Sequence, residues 1–364
     1  MDPCYLAAVL PLYERVLAYI DDAAADRFED LALAIFVHQF EHNEAYRRYC
    51  AQRERTPETV RDWRAIPAVP IIAFKHTALC CGLAVRTFLS SGTTAGPEVR
   101  SCHQVADLRL YQRSAVAGLR RFVFPDQARM RLVSLIPPAE EQPHSSLSQM
   151  IEWAMESFGA EGSAYAAGAG GLDLERLLDA LHASQSDGAP LALLTTTGAL
   201  IRAIDTLRER RLAFRLPHGS RVMDTGGDKG APRPLSRAGL LHAVWAAFAV
   251  PGYFCVNEYG MAELSSQYYD SVIADRVRGR HAPRRKLAPH WVRPVVLDPE
   301  TLAAAAPDTP GLLCHFDLAN ASSAMAVLSE DLAVAAGDGF QLLGRAPQAE
   351  ERGCSLATAE WGAA

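Results

Sequence analysis

Leu191-Ala192-Leu193-Leu194-Thr195, followed closely by the stretch from Ala199 to Arg210, decides the class of fold. The first five residues are an apolar run of strand length. The second stretch places Leu200, Ile204 and Leu207 on one face at helical spacing. The same strand-then-helix unit recurs on both sides. Towards the amino end, Arg131 to Ile136 reads as a strand. Leu147 to Phe158 reads as a helix with Leu147, Met150, Ile151, Ala154 and Phe158 inward, and Leu172 to Ala183 as another. Towards the carboxyl end come a strand at Arg221 to Asp224, a helix from Leu235 to Phe248 and a strand at Tyr253 to Val256. Strands alternating with helices of about 10–15 residues predict an α/β layered sheet.

Further out the texture changes. Leu6, Val9, Leu10, Tyr13, Val16 and Leu17 fall at helical spacing, and Phe28 to Tyr49 repeats the pattern with Leu31, Ile35, Phe36 and Phe40. Prolines then break the run, and Ile66 to Phe74 reads as an extended connector. Val85 to Leu89 is a strand, followed by a Gly/Thr loop and a helix near Val105 to Phe122. After residue 285, Trp291 to Leu297, Gly311 to Phe316, Ala324 to Leu328 and Phe340 to Leu343 are β-like. The expected organisation is a helical segment 1–65, an α/β core 66–285, a small β-rich subdomain 286–344 and a short tail 345–364.

A formal net charge of −6 argues against a general nucleic-acid binder, which needs a surplus of cations to neutralise phosphates. No apolar run is long enough to span a membrane, and the amino end carries acids early with no basic start. The expected location is therefore the cytoplasm. The eight cysteines show neither CxxC pairs nor zinc spacing, so in a reducing compartment they are thiols. Of 36 basic residues only three are lysines, Lys75, Lys229 and Lys286, which narrows any mechanism that needs an amine.

The loop Ser90-Ser91-Gly92-Thr93-Thr94-Ala95-Gly96-Pro97 follows the strand directly. Two glycines let successive N–H groups turn towards one point, and four hydroxyls add neutral donors, which suits an anion. No lysine follows at P-loop spacing. Read alone, the stretch is either a phosphate grip or a Gly/Ser/Thr surface turn.

At this loop, together with Asn257-Glu258-Tyr259-Gly260-Met261-Ala262-Glu263, the sequence resembles the adenylate-forming superfamily. More closely it resembles the LuxE-like acyl-protein synthetases of bacterial bioluminescence operons. The landmarks IPAVPIIAFK, SSGTTAGP, PPAEEQPHSSLSQM, MDTGGDKG, FCVNEYGMAELSSQYYD, GLLCHFDLAN, LSEDL and LLGRAPQAEERGCSL run in order from Ile66 to Leu356. The resemblance implies the amino-terminal domain of such enzymes, with the carboxyl-terminal lid absent or vestigial. It also implies ATP and Mg²⁺ as cofactors and a carboxylic acid as substrate.

Residue by residue, Ser90, Ser91, Gly92, Thr93, Thr94 and Gly96 resemble the loop over the β- and γ-phosphates. Glu258, Tyr259 and Gly260 resemble the segment where an aromatic ring stacks on adenine. Glu263 resembles the Mg²⁺-binding glutamate, Asp317 the acceptor for the ribose hydroxyls, and Arg345 an arginine near the nucleotide. Gly226, Gly227, Met261, Ala262 and His144 resemble positions lining the acyl pocket.

The family pattern often has a lysine after the loop's proline, whereas this chain has Glu98, and no lysine follows Lys286. Charge stabilisation then falls to the metal, the loop, Arg345 and Lys229. In the acyl-protein synthetases a cysteine near the carboxyl end takes the acyl group, and Cys354 lies in the matching tail, with Arg352 beside it to favour the thiolate. The expected activity is AMP-forming activation of an acid, then transfer to a thiol. The acceptor is Cys354 and then a partner such as a reductase, or else coenzyme A, a carrier protein or an amine directly. A phenylacetate-CoA ligase-like enzyme and a nucleotide-binding scaffold without catalysis are the alternatives.

Overall fold

The computed structural model describes residues 3–90, 100–227 and 233–346. The chain divides into two compact units. One comprises Met1–Ala117, Met261–Gln267 and Lys286–Ala364, and the other comprises Gly118–Gly260 and Tyr268–Arg285. The boundary falls inside the Asn257–Glu263 motif, between Gly260 and Met261.

The second unit carries the expected layered sheet. Across it the strands run Ala164–Tyr165, Arg131–Ser134, Leu191–Thr196, Arg221–Thr225, Cys255–Tyr259 and Tyr268–Asp270. The first five are parallel and the last is antiparallel to its neighbour. Residues 191–195 and 221–225 are buried throughout, so both faces of these strands are covered, as parallel sheets require.

Four helices alternate with the strands: Ser146–Phe158, Leu174–Asp187, Thr197–Glu209 and Arg237–Phe248. Each starts on a side-chain cap. Ser145, Asp173, Thr196 and Ser236 accept from the backbone N–H groups of Ser148, Arg176, Ala199 and Gly239. Such caps are worth about 1 kcal/mol each and fix where the chain turns from strand to helix.

In the first unit, Val292–Leu297, Gly311–Asp317, Ala326–Ala336 and Gly339–Arg345 form an antiparallel meander. Lys286–Leu287 pairs with its last strand, and Val69–Pro70 pairs in parallel with Ala326–Ala336. A separate hairpin joins Arg86–Leu89 to Cys102–Val105. The helices Pro3–Asp21, Phe28–His42 and Glu44–Ala51 make up the amino end.

Some local readings need correction. Val105 ends a strand, and the helix starts only at Leu108, because the short polar run Cys102-His103-Gln104-Val105 is drawn into pairing with Arg86–Leu89. Gly252–Phe254 is a 3₁₀ turn, with the strand displaced to Cys255–Tyr259. The connector after Ile66 contains the short strand Val69–Pro70 and one helical turn, Ala73–His76. Among the described residues no helix is long and apolar enough to cross a membrane.

One buried side chain ties the amino-terminal helices to the meander. Gln39 is fully buried on Phe28–His42. Its Nε2 donates to the carbonyls of Asn320 and Ala321 at 3.1 Å each, and its Oε1 accepts from Met325 N at 3.2 Å. Removing it strands two buried backbone groups, the Ala321 carbonyl and the Met325 N–H, because the Asn320 carbonyl also accepts from Ser323 N. Gln39→Leu is expected to lower stability by roughly 3 kcal/mol, since each orphaned buried group costs about 1–3 kcal/mol, as read by urea denaturation.

Candidate active site

In the first unit the site is built around the turn that carries Glu263. Asp317 ends the strand Gly311–Asp317 and is completely buried. Its Oδ2 accepts from Ser265 N at 3.0 Å, and its Oδ1 accepts from Ser266 Oγ at 2.6 Å and Ala319 N at 3.0 Å. Asn320 lies three residues on. Its Nδ2 donates to the carbonyls of Glu263 (2.9 Å) and Ala324 (2.7 Å), and its Oδ1 accepts from Ser265 Oγ at 3.0 Å. His103 pins the other side of the turn, its Nδ1 donating to Ala262 O at 2.7 Å. Burial holds the imidazole down at about 4, so near neutral pH it is neutral, and the carbonyl partner fixes the proton on Nδ1.

The hairpin Arg86–Leu89/Cys102–Val105 brings the foot of the Gly/Thr loop to the same turn. Ser90 and Ser101 bond each other, N–H to carbonyl at 3.0 Å and N–H to hydroxyl at 3.0 Å. The Ser101 hydroxyl in turn donates to the Glu263 carboxylate. Glu263 is only 4% exposed. Burial raises its pKa, and the Ser101 bond and the charges of Arg345 and Lys75 offset that only in part. Lys75 sits on the helical turn Ala73–His76, and Phe74 beside it packs edge-on against His103. Sequence reasoning passed over Lys75, His103 and Asn320, although Lys75 was one of only three lysines.

Asp317 is likewise pushed up, to about 6, by burial outweighing its hydrogen bonds. With the Ser266 backbone N–H as a fourth donor, its roughly four acceptor directions are all filled from within the protein. Arg345 is about half exposed and lies near Glu330 and Asp331 at 4.0 and 3.9 Å. Met261 and Ala262 are half-buried.

In the second unit, polar residues line up where the parallel strands end. Thr196, Thr225 and Glu258 lie in register across three strands, and Thr225 Oγ1 donates to the Glu258 carboxylate. One residue back, Thr195, Asp224 and Asn257 are in register. Buried Asp224 accepts from Arg237 at 2.7 Å, Asn257 Nδ2 at 2.9 Å and Thr197 Oγ1 at 2.9 Å. Arg237 and Arg284 also pair with Asp270. Carboxyl ends of strands are where ligands bind in open α/β sheets.

Gly226 follows directly at φ +75°, which favours glycine, and a Cβ there or on Gly227 would meet nothing within 4 Å. Both are exposed, an open strip of backbone. Tyr259 is 9% exposed, its ring 5.8 Å from that of Tyr268, and Gly260 is half-buried. His144 is exposed in the turn before the cap Ser145. Ser91, Gly92, Thr93, Thr94, Gly96, Lys229 and Cys354 lie outside the described residues.

This sheet and these helices are shared with solved adenylate-forming ligases. The chain superposes on 2-hydroxyisobutyryl-CoA ligase in an open conformation with 2-HIB-AMP and CoA, with TM-score 0.62 and 16% identity over 88% of this chain and 73% of that one. For the same ligase in its postadenylation state the TM-score is 0.64, again at 16% identity, covering 87% and 67%. ATP-bound MatB from Rhodopseudomonas palustris gives 0.50 at 15%, covering 72% of this chain and 49% of MatB. The fold is therefore that of the AMP-forming acid ligases. The family model "Acyl-protein synthetase, LuxE" matches residues 9–361, and the chain belongs to that family. No curated protein matches the sequence. The protein is thus an AMP-forming ligase of the acyl-protein synthetase family.

The raised pKa of Glu263 has a sign that can be tested. A carboxyl that holds its proton more tightly when folded contributes stability below its unfolded pKa, and loses it as pH rises through the folded one. In metal-free buffer near neutral pH, Glu263→Gln is expected to raise Tm by a few degrees and to flatten its fall between acid and neutral pH. Scanning calorimetry across that range checks this, and an unchanged profile would contradict it.

Proposed function

We propose that the protein condenses a carboxylic acid with ATP to acyl-AMP and pyrophosphate, and then passes the acyl group to a thiol. The single observation that carries the site assignment is Glu263: a buried carboxylate, short of compensating positive charge, beside the foot of the Ser90–Pro97 loop. Among the described residues no three carboxylate, histidine or cysteine side chains gather as a metal cage. That suits Mg²⁺, a hard ion commonly held by one or two carboxylates with phosphate oxygens and water completing its shell. Glu263 would hold the ion, which neutralises phosphate charge there.

The acid needs no general base, because its carboxylate is already the nucleophile. A carboxylate oxygen attacks the α-phosphorus, the bond to the β-phosphate oxygen breaks, and pyrophosphate leaves. We assign the loop Ser90–Pro97 to the departing phosphates, with Arg345, Lys75 and Lys229 as sources of positive charge. Tyr259 and the backbone from Glu258 to Gly260 go to the base, and Gly226 and Gly227 to the acyl phosphate. Asp317, its acceptor directions filled from within the protein, serves the site by holding the turn that carries Glu263.

In the second step a thiolate attacks the acyl carbon and AMP leaves. Cys354 is our candidate nucleophile, with a partner protein as the final acceptor.

Acid-dependent exchange of labelled pyrophosphate into ATP is the primary test. Wild type is expected to exchange with at least one acid when Mg²⁺ is present, and Glu263→Gln to lose about 10²–10³-fold, the scale for removing one charge-stabilising group. Silence across fatty, aryl and amino acids rejects the reading. For transfer, intact-protein mass spectrometry with acid and ATP is expected to show an acyl adduct that disappears in Cys354→Ser. An adduct retained in that variant, or acyl-CoA formed without one, assigns transfer elsewhere.

A further inference from the structure

In the second unit, the stretch Arg276-Val277-Arg278-Gly279-Arg280-His281-Ala282-Pro283-Arg284-Arg285 holds five arginines and no acid, in a chain of net charge −6. Its last two arginines turn inward. Arg284 pairs with Asp270, which Arg237 also reaches, and Arg285 pairs with Asp275, which Arg280 also holds. Two buried carboxylates are thus already shared among four guanidinium groups. Among the described residues Arg276 and Arg278, both exposed, have no carboxylate partner. Half-buried Arg121 lies in the field of Arg278 and Arg280, and its Nε is buried without a hydrogen-bond partner. Burial first, and then those two like charges, lower its pKa. A cluster of this kind is short of anions.

An apolar pocket opens beside it. Pro217, His218, Trp245, Pro251 and Tyr253 line a cavity of about 240 Å³. Trp245 is 54% exposed, Tyr253 41% and Val277 49%, so large apolar side chains stand uncovered together, as at interaction surfaces. Arg276 joins the two features, its guanidinium 4.2 Å from the centre of the Tyr253 ring. The cavity is smaller than the roughly 300–1,000 Å³ usual for small-molecule sites, and it suits an inserted side chain. Trp, Tyr and Arg are also the residues that dominate binding energy at protein interfaces. The pocket lies at the amino ends of Arg221–Thr225 and Cys255–Tyr259, whereas Thr225 and Glu258 stand towards the other end. A partner seated here leaves the carboxyl ends of these strands open.

We propose that this face docks an acidic protein, which inserts one apolar side chain into the Trp245–Tyr253 pocket and sets Asp and Glu side chains against Arg276, Arg278 and Arg121. Charge complementarity fixes the sign of the partner, and the pocket supplies the anchor. Nucleic acid fits less well. A base stacks on an open aromatic face, and Arg276 covers that of Tyr253. A phosphate backbone also needs cations along its track, whereas these are gathered on one loop and Arg121 of a chain that is net negative. None of these residues is assigned to adenylation, so the two readings stand or fall separately.

Fluorescence anisotropy with labelled probes tests this on the full chain. The probes are a short peptide rich in Glu and Asp with a central Trp-Leu pair, its Ala-Ala analogue, a Lys-rich analogue that keeps Trp-Leu, and a single-stranded DNA of matching length. The acidic Trp-Leu peptide is expected to bind tightest, about tenfold tighter than the Ala-Ala analogue. Its affinity is expected to fall about tenfold between about 50 and about 300 mM salt. Arg276→Glu combined with Arg278→Glu is expected to weaken both acidic peptides by about tenfold or more, and Trp245→Ala to bring the Trp-Leu peptide down to the Ala-Ala level. Both variants are expected to keep Tm within a few degrees of wild type, which separates lost docking from lost folding. DNA bound as tightly as the acidic peptide, acidic peptides that bind the charge-reversed variant like wild type, or no saturable binding of the acidic Trp-Leu peptide overturns the proposal. A dimer in sedimentation equilibrium that the same charge reversal dissociates gives the face to a second copy of the chain, and overturns it as well.

Discussion

A buried carboxylate has to find donors, and Asp317 finds its own mostly in the segment whose position matters. Three of its four hydrogen bonds come from Ser265 and Ser266, so satisfying Asp317 and fixing the turn at 261–267 are the same event. Asn320 completes the arrangement by holding the Glu263 carbonyl. Everything assigned to Glu263 depends on this, because a metal ligand that wandered by an ångström would lose its geometry. Burial pushes the pKa of both acids up, and shifts of this kind cluster at functional sites.

The second unit solves a different problem with the same economy. Its parallel strands end in polar residues in register, and the caps Ser145 and Thr196 begin helices at that same end. Each of these residues thereby closes off a helix and also lines one cavity. Asp224 shows the wider pattern. It collects donors from a neighbouring strand and from the starts of two helices, so three elements are locked by a single carboxylate.

Much of this fold is legible in the sequence because the second unit's strands are buried on both faces and read as apolar runs such as Leu191–Thr195. The helices between them show clear faces and capping residues. What escaped detection shares a physical cause. Cys102–Val105 is a strand only because Arg86–Leu89 lies beside it, and nothing in the run Cys-His-Gln-Val announces a partner. The same holds for the site. The Ser90–Pro97 loop, Glu263, Asp317 and Arg345 were legible as motifs. Asp224, His103 and Asn320 are tied to residues tens to hundreds of positions away, and no local spacing encodes that.

The scarcity of lysine takes on a chemical meaning beside a reactive anhydride. Acyl-adenylates acylate unprotonated amines indiscriminately, whereas guanidinium groups stay charged and inert. Of the three lysines here, Lys286 is buried within a strand pairing and Lys75 is half-buried on its helical turn beside Glu263. Among the described residues the exposed cations are arginines. A mixed anhydride formed on this protein meets few side-chain amines to consume it, which favours delivery of the acyl group over self-modification.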